Sequence, residues 1–288
     1  MVSPAQRREG VIWAQRAYRL SERRAIRALG MCRSSVRYRS RKAPREPLRA
    51  RIREISAARV SCGYRQVHTI LRREGWPVNH KLVYRLYREE GLCLRRKRPR
   101  RRRSAARRQR TPLPSRPNER WAMDFVHDTL SGGGIVRVLG VLDVHTRECL
   151  ALRAGRGFTG HDVAAILSAA SAERSALPER ISVDNGTEFT SKSLDHWAYW
   201  SRVQLDFSRP GKPTDNAHME AFNSVLRREC LSQHWFVDLE DAQRVLDRWR
   251  ADYNNFRPHG SLARSTPADF AAGALFTPVS EKLENLQI

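Results

Sequence analysis

Beyond residue 118 the apolar and polar positions change period several times, and each change predicts an element. Residues 120–126 (R-W-A-M-D-F-V) alternate with a period of two, as a half-buried strand does. Gly132, Gly133 and Gly134 make a turn, residues 135–143 (I-V-R-V-L-G-V-L-D) a second strand and 148–153 a third. Residues 161–173 shift to the helical period. A short apolar strand at 181–184, a helix at 191–201 and a strand at 204–207 follow. Long helices are predicted over 215–230 and 239–254. Three hairpin-like strands followed by alternating helix and strand predict an α/β fold, a mixed sheet with helices on both faces.

The first 94 residues carry only helical periods. Residues 20–29 (L-S-E-R-R-A-I-R-A-L) read as a helix with Ser21 as its N-cap, and Gly30 turns the chain. Ser34 or Ser35 is expected to open a second helix, so the pair has a helix-turn-helix outline presenting Arg33, Arg37 and Arg39. Pro44 and Pro47 interrupt the pattern. Residues 48–58 are again helical, 63–75 put Val67, Ile70 and Leu71 on one face, and Asn79 caps a helix with Leu82, Val83 and Leu86 facing inward and Gly91 as its stop. Lys81, Arg85 and Arg88 recur on that last helix, as a solvated face or as DNA contacts.

Charge sharpens the division. Of 288 residues, the first 118 hold 35 Lys and Arg against 7 Asp and Glu, whereas the remainder hold 19 against 23. The net charge of +24 is therefore carried by the first two-fifths of the chain. So few interspersed acids point to a polyanion partner, nucleic acid, rather than to a merely soluble surface. Residues 95–110 (R-R-K-R-P-R-R-R-R-S-A-A-R-R-Q-R), beginning with Arg95, Arg96, Lys97 and Arg98, contain 11 bases and no acid, and are expected to be disordered without a ligand. Pro112, Pro114 and Pro117 prolong this linker. The expected division is 1–43 and 44–94 as two helical DNA-binding segments, 95–117 as basic linker, 118–275 as catalytic core and 276–288 as tail.

Other features narrow the class. The longest run without a charged residue is 11 residues, too short for a membrane span, which needs roughly 18 or more. The basic N-terminus lacks the apolar centre of a signal peptide. A soluble, cytoplasmic protein is expected, associated with the nucleoid when bound to DNA. Five widely spaced cysteines without C-x-x-C argue against a disulfide framework or a zinc finger.

Three acids then stand out by position. Asp124 lies mid-way along the first strand, Asp184 ends the fourth before an Asn185-Gly186 turn, and Glu220 lies on the helix after the fifth. Strand ends and an adjacent helix can converge at one sheet edge. Converging carboxylates without a nearby base repel one another unless a divalent cation sits between them. Oxygen ligands suit Mg²⁺ or Mn²⁺, and two such ions can serve a phosphodiester substitution.

The context of these acids is distinctive. W-A-M-D at 121–124, S-V-D-N-G-T-E-F at 182–189 and G-K-P-T-D-N-A-H-M-E-A-F-N at 211–223 resemble the active-site segments of D-D-E transposases and retroviral-type integrases, with 35 residues between Asp184 and Glu220. More narrowly, the chain resembles the catalytic, second-frame protein of the insertion-sequence-three family. G-Y-R-Q-V-H at 63–68, N-H-K-L-V-Y-R-L-Y-R-E-E-G at 79–91, L-D-V-H-T-R at 142–147 and Y-N-N-F-R-P-H-G-S-L at 253–262 support this over residues 20–270. Ala221 and Gly260 stand where serine is frequent in the family.

The resemblance implies an RNase H-like five-stranded core behind helix-turn-helix modules, and a catalytic, metal-binding triad of Asp124, Asp184 and Glu220. It implies two Mg²⁺ or Mn²⁺ ions, with Asp124 bridging both and the other two acids each holding one. The implied reaction is 3′-end cleavage of an insertion sequence followed by strand transfer. The implied partners are double-stranded DNA (element ends and target), a second copy of the chain, and a first-frame protein supplying a leucine zipper.

Neighbouring residues follow from spacing. Asn216, Glu220, Asn223 and Arg227 share a helix face. Asn185 and Asn216 either steady the acids or cap turns, Arg227 and Lys212 are expected at DNA, and Asp143 is expected to pair with Arg147 in a turn. His127, His145, His218 and His259 carry weaker signals, His259 as packing. Trp121, Trp197, Trp200 and Trp249 are expected to fill the core. The competing functions are a DNA-binding regulator with an unused core, a structure-specific nuclease and an RNA-binding protein.

Overall fold

The computed structural model describes residues 4–38, 45–94, 113–209 and 216–273. Arg39, Arg95, Arg96, Lys97, Arg98 and Lys212 lie outside these residues. The chain divides into two compact units, Met1–Leu48 and Arg49–Ile288.

In the first unit α1 (Pro4–Tyr18), α2 (Glu22–Ala28) and α3 (Arg33–Arg37) surround Val11, Ala14, Ala25 and Ile26. The Ser21 hydroxyl caps α2 by accepting from the Arg24 amide at 3.4 Å, as expected. The start of α3 differs from expectation. It follows extended Cys32, which makes no side-chain cap bond, so Ser34 and Ser35 lie inside the helix. Val36 packs on the small apolar cluster. With only five residues, that packing rather than a cap sets the position of α3.

The second unit begins with α4 (Glu46–Ala58), α5 (Tyr64–Arg73) and α6 (His80–Glu89). Ile52, Ile55, Val67, Leu71, Val83 and Leu86 form the inward stripe. Ile70 and Leu82 are only half-buried, and Tyr87 takes the remaining inward place, its hydroxyl donating to the Cys62 carbonyl at 3.0 Å. Asn79 caps α6 by accepting from the Lys81 amide at 2.8 Å.

Five strands follow: β1 (Arg120–Thr129), β2 (Ile135–Asp143), β3 (Cys149–Gly155), β4 (Arg180–Val183) and β5 (Gln204–Phe207). Their order is β3-β2-β1-β4-β5. The first three are antiparallel neighbours, and β4 and β5 run parallel to β1. Helices α7 (Gly160–Arg174) and α8 (Lys192–Ser201) pack on one face, and α9 (Ala217–Glu229) and α10 (Leu239–Asn255) on the other, with α11 (Pro267–Ala271) beyond. The two-residue alternation of the strands sorts the cores. Trp121, Met123, Leu139 and Val141 face α7 and α8, whereas Ala122, Val126, Val138 and Leu142 face α9 and α10. Each fully buried leucine in these cores stabilises the fold by roughly 1.5–3 kcal/mol.

Gly140 in β2 lets α9 lie close to the sheet. A Cβ there would stand 3.2 Å from Phe222 and 3.3 Å from Met219 of α9. The tryptophans split. Trp121 is fully buried and Trp249 stacks on Tyr253, but Trp200 is 82% exposed. It lies on the face of α8 opposite buried Leu194 and Ala198. Burial pushes the thiol of Cys62 up to about 11, and those of Cys149 and Cys230 up to about 12. Among the described residues no helix is long and apolar enough to cross a membrane.

Candidate active site

Asp124 leaves β1 toward α9. One carboxylate oxygen accepts from the Phe125 amide and the other from the Asn223 side-chain amide, each at 2.8 Å. Burial raises its pKa above the usual carboxylate range, and the charges of Asp184 and Glu220 raise it further against those two hydrogen bonds. The fold therefore brings both Asp184 and Glu220 within electrostatic reach of Asp124, with Asp184 and Glu220 exposed and Asp124 half-buried.

Asp184 follows β4 and accepts from the Gly186 amide at 2.9 Å, which fixes the turn. Asn185 donates to the Ser208 carbonyl at 2.9 Å, fastening this loop to the end of β5. Asn216 donates to the Met123 carbonyl at 3.2 Å, beside Asp124. The other amide oxygens of Asn216 and Asn223 are buried without a hydrogen-bond partner. Both asparagines thus tie the start of α9 to β1. Asn223 was legible as a member of the α9 face, but its role at Asp124 was not.

The donor set suits a hard divalent cation, being all oxygen and short of positive charge. Among the described residues no three Asp, Glu, His or Cys side chains stand close enough to hold one ion together. The residues fit Mg²⁺ or Mn²⁺ by their chemistry.

Two further charged groups border the site. Arg137 of β2 lies 4.2 Å from the Phe125 ring centre and pairs with Glu188, whose carboxyl it holds below the usual range. Neither stands out in the sequence, because they are 51 residues apart. Asp143 is fully buried, accepts from the amides of Asn118, His145 and Thr146, and has Arg174 at 3.6 Å. The expected Asp143–Arg147 pair does not form. Arg147 adopts a left-handed backbone (φ 64°) and its guanidinium meets His218 at the start of α9. Burial and the charges of Arg147 and Arg120 push His218 down to about 4. His259, also pushed to about 4 by burial and Arg257, packs near Tyr253 as expected.

Comparison with known proteins decides the family. Residues 114–213 and 201–267 match the integrase core domain, and residues 44–100 match an HTH-like domain. The insertion element IS407 uncharacterized 31.7 kDa protein of Burkholderia multivorans is 44% identical over 254 residues, covering 88% of this chain and 91% of that protein. The chain belongs to the insertion-element transposases of the D-D-E integrase superfamily. The IS476 protein of Xanthomonas euvesicatoria is 39% identical over 272 residues, 94% of this chain and 78% of that protein. Transposase InsD for insertion element IS2D of Escherichia coli strain K12 is 27% identical, covering 76% of each chain. A chain of the simian T-cell lymphotropic virus intasome, solved in complex with PP2A regulatory subunit B56 gamma, shares the fold at a TM-score of 0.50 and 16% identity, covering 76% of this chain and 74% of that one.

The basic residues of this transposase sort by what they touch. In the first unit Arg37 forms a two-pronged pair with Glu22 at 2.7 and 2.8 Å, so the predicted DNA contact is occupied, while Arg33 is exposed. The bases of α4, and Arg59 just after it, are also occupied. Arg49 and Arg53 meet Glu90, Arg51 meets Glu54 and Glu74, and Arg59 reaches Asp252 of α10 at 2.6 Å. Arg85 stands 3.7 Å from Glu89. Lys81, Arg65 and Arg88 are exposed and have no acidic partner among the described residues. Arg65 and Arg88 instead lie over Tyr64 and Tyr84, which themselves pack 4.8 Å apart. Arg227 donates to the His127 carbonyl at 3.0 Å.

Proposed function

We propose that the chain cleaves the 3′ ends of an insertion element and joins them to target DNA, with Asp124, Asp184 and Glu220 holding two Mg²⁺ or Mn²⁺ ions. The observation that carries this reading is geometric: Asp184 and Glu220 lie close enough to half-buried Asp124 for their charges to act on it, and Asn223 and the Phe125 amide hold both of its oxygens in place. Mutual repulsion of this kind is relieved when cations occupy the site. Bound there, the ions supply Lewis acidity for activating the attacking oxygen and stabilising the leaving oxygen of a phosphodiester.

The chain's own groups position the acids. Asn223 and the Phe125 amide fix both oxygens of Asp124, and Asn216 anchors the helix bearing Glu220 to β1. Asn185 fastens the loop of Asp184. Arg227, Lys212, Arg33 and Lys81, with Arg95, Arg96, Lys97 and Arg98 of the linker, contact DNA. Arg65 and Arg88, which meet no acid among the described residues, join Lys81 in this role, whereas Arg37 and Arg85 serve their intramolecular partners first. The working assembly contains at least two copies of the chain and the first-frame partner protein, and acts in the bacterial cytoplasm on chromosomal DNA.

The test is Mg²⁺-dependent cleavage and joining of DNA carrying the element's ends. Wild type is expected to join ends, and Glu220→Gln to bind them without cleavage. If wild type binds but never cleaves, even with the first-frame protein, the catalytic reading falls and a DNA-binding regulator replaces it. Cleavage without joining points instead to a nuclease.

A further inference from the structure

Arg137 and Glu188 stand on the opposite face of β1 from Asp124. The strand alternation that turns Asp124 toward α9 turns its neighbour Phe125 toward the α7–α8 side, where Phe125 stacks on Phe189 at 5.1 Å and meets Phe158 at 5.3 Å. Arg137 covers the Phe125 ring at 4.2 Å and reaches across to the Glu188 carboxylate. Glu188 and Phe189 belong to the loop that begins at Asp184. One arginine of β2 therefore grips both segments that carry an active-site aspartate.

The pair is shielded. Arg137 and Glu188 retain 21% and 14% of their side-chain exposure, and the Arg137 Nε is buried without a partner. Shielding strengthens the attraction between the two charges and makes either one costly alone. Glu188 also lies near the triad. At Gly186, the position of an added Cβ would be 3.1 Å from an Asp184 oxygen and 3.2 Å from a Glu188 oxygen. Glu188 is thus a fourth carboxylate beside Asp184, and it is the one with an arginine attached.

We infer that Arg137 and Glu188 are a positioning pair, which locks the Asp124 and Asp184 segments together and withholds Glu188 from the cation-binding set. The arginine does two things at once. Its stacking on Phe125 and its bond to Glu188 fix the loop beside Asp184. Its charge cancels the carboxylate that would otherwise compete with Asp184 for a cation. The inference rests on the metal-dependent reading above for its second half, and on the described contacts alone for its first.

The test uses the full chain with Arg137→Met, Glu188→Gln and the double variant. Hydrogen exchange of amides 185–190 is followed in chelator, Mn²⁺ binding by calorimetry without DNA, and joining with Mg²⁺. Arg137→Met is expected to speed exchange in the loop, to tighten Mn²⁺ binding severalfold through the freed Glu188, and to lower joining at least tenfold. Adding Glu188→Gln is expected to return Mn²⁺ binding to the wild-type value, while exchange in the loop stays fast and joining recovers only in part. If Arg137→Met fails to fold, Glu188→Gln alone decides. It is expected to keep Mn²⁺ binding, to speed exchange in the loop and to lower joining without abolishing it. If it abolishes Mn²⁺ binding and joining alike, as Asp184→Asn should, Glu188 is itself a ligand and the inference is overturned. Unchanged loop exchange in Arg137→Met, or a double variant no better than the single, also overturns it. Faster exchange in a protein whose wild type neither binds Mn²⁺ nor joins DNA would leave the lock standing, and remove the transposition chemistry together with the cation-sorting role.

Discussion

Under the proposed function, Asp124 is the residue at which the fold and the reaction make opposite demands. Burial first, and the charges of Asp184 and Glu220 next, raise its pKa, so folding favours the protonated form. The stability this contributes is complete below the unfolded pKa and is lost as pH rises through the raised folded value. In chelator, Asp124→Asn is therefore expected to have a higher Tm than wild type at neutral pH, with the difference vanishing at acid pH. The same substitution should end joining. A wild type equally stable at both pH values relative to the variant would contradict this. Gly186→Ala tests the crowding beside Asp184. Its methyl must displace a carboxylate by a few tenths of an ångström, and since a shift of 1 Å can cost about a hundredfold in rate, roughly tenfold less joining is expected at unchanged DNA affinity. Of these residues, Asp124, Asp184 and Glu220 stand out in the sequence because short motifs surround each. Arg137 does not, because a lone arginine near a strand's start reads as solvated until a residue 51 positions on is seen against it.

Among the elements, α9 carries the most consequences. Its apolar face fits β2 only because Gly140 has no side chain. Gly140→Ala sets a methyl 3.2–3.3 Å from Phe222 and Met219, and overpacking of this kind costs about 1–3 kcal/mol. Chemical denaturation should show that loss, and joining should fall further than the unfolded fraction explains, because α9 bears Glu220. At its far end Glu229 pairs with Arg257 at 2.6 Å, both nearly buried. Burial opposes the charge on Glu229, but hydrogen bonds from Arg257, Arg228 and Ser61 hold its pKa below the usual value. That contribution is present above the unfolded pKa and is lost as pH falls through the folded one. Arg257→Met strands the carboxylate and should cost about 3–5 kcal/mol, read by urea unfolding at neutral pH. The strands and long helices of the core were legible because their periods are long and regular. The start of α3 was not, because in so short a helix the packing of one half-buried valine outweighs two candidate serine caps.

For the whole molecule, the formal charge of +24 overstates what is free to meet DNA. Arg37, Arg49, Arg51, Arg53 and Arg59 already answer acids of the same chain. Replacing Lys81, Arg65 and Arg88 together by alanine should flatten the salt dependence of DNA binding, by about 0.9 in log–log slope for each phosphate that is no longer neutralised. Replacing Arg51 should leave that slope alone and lower Tm. Sequence alone showed where the bases were concentrated, but their pairing depends on which helices meet. That meeting has a mechanical side. Ser61, in the turn between α4 and α5, is bonded to Glu229, and Arg59 beside it to Asp252. Glu229 and Glu220 share one helix, roughly 14 Å apart at about 1.5 Å per residue. A straight helix of this length is stiff, so α9 behaves as a strut between the α4–α5 turn and Glu220. Under the proposed function, a pull on DNA held by α4–α6 would reach Glu220 as a tilt of α9.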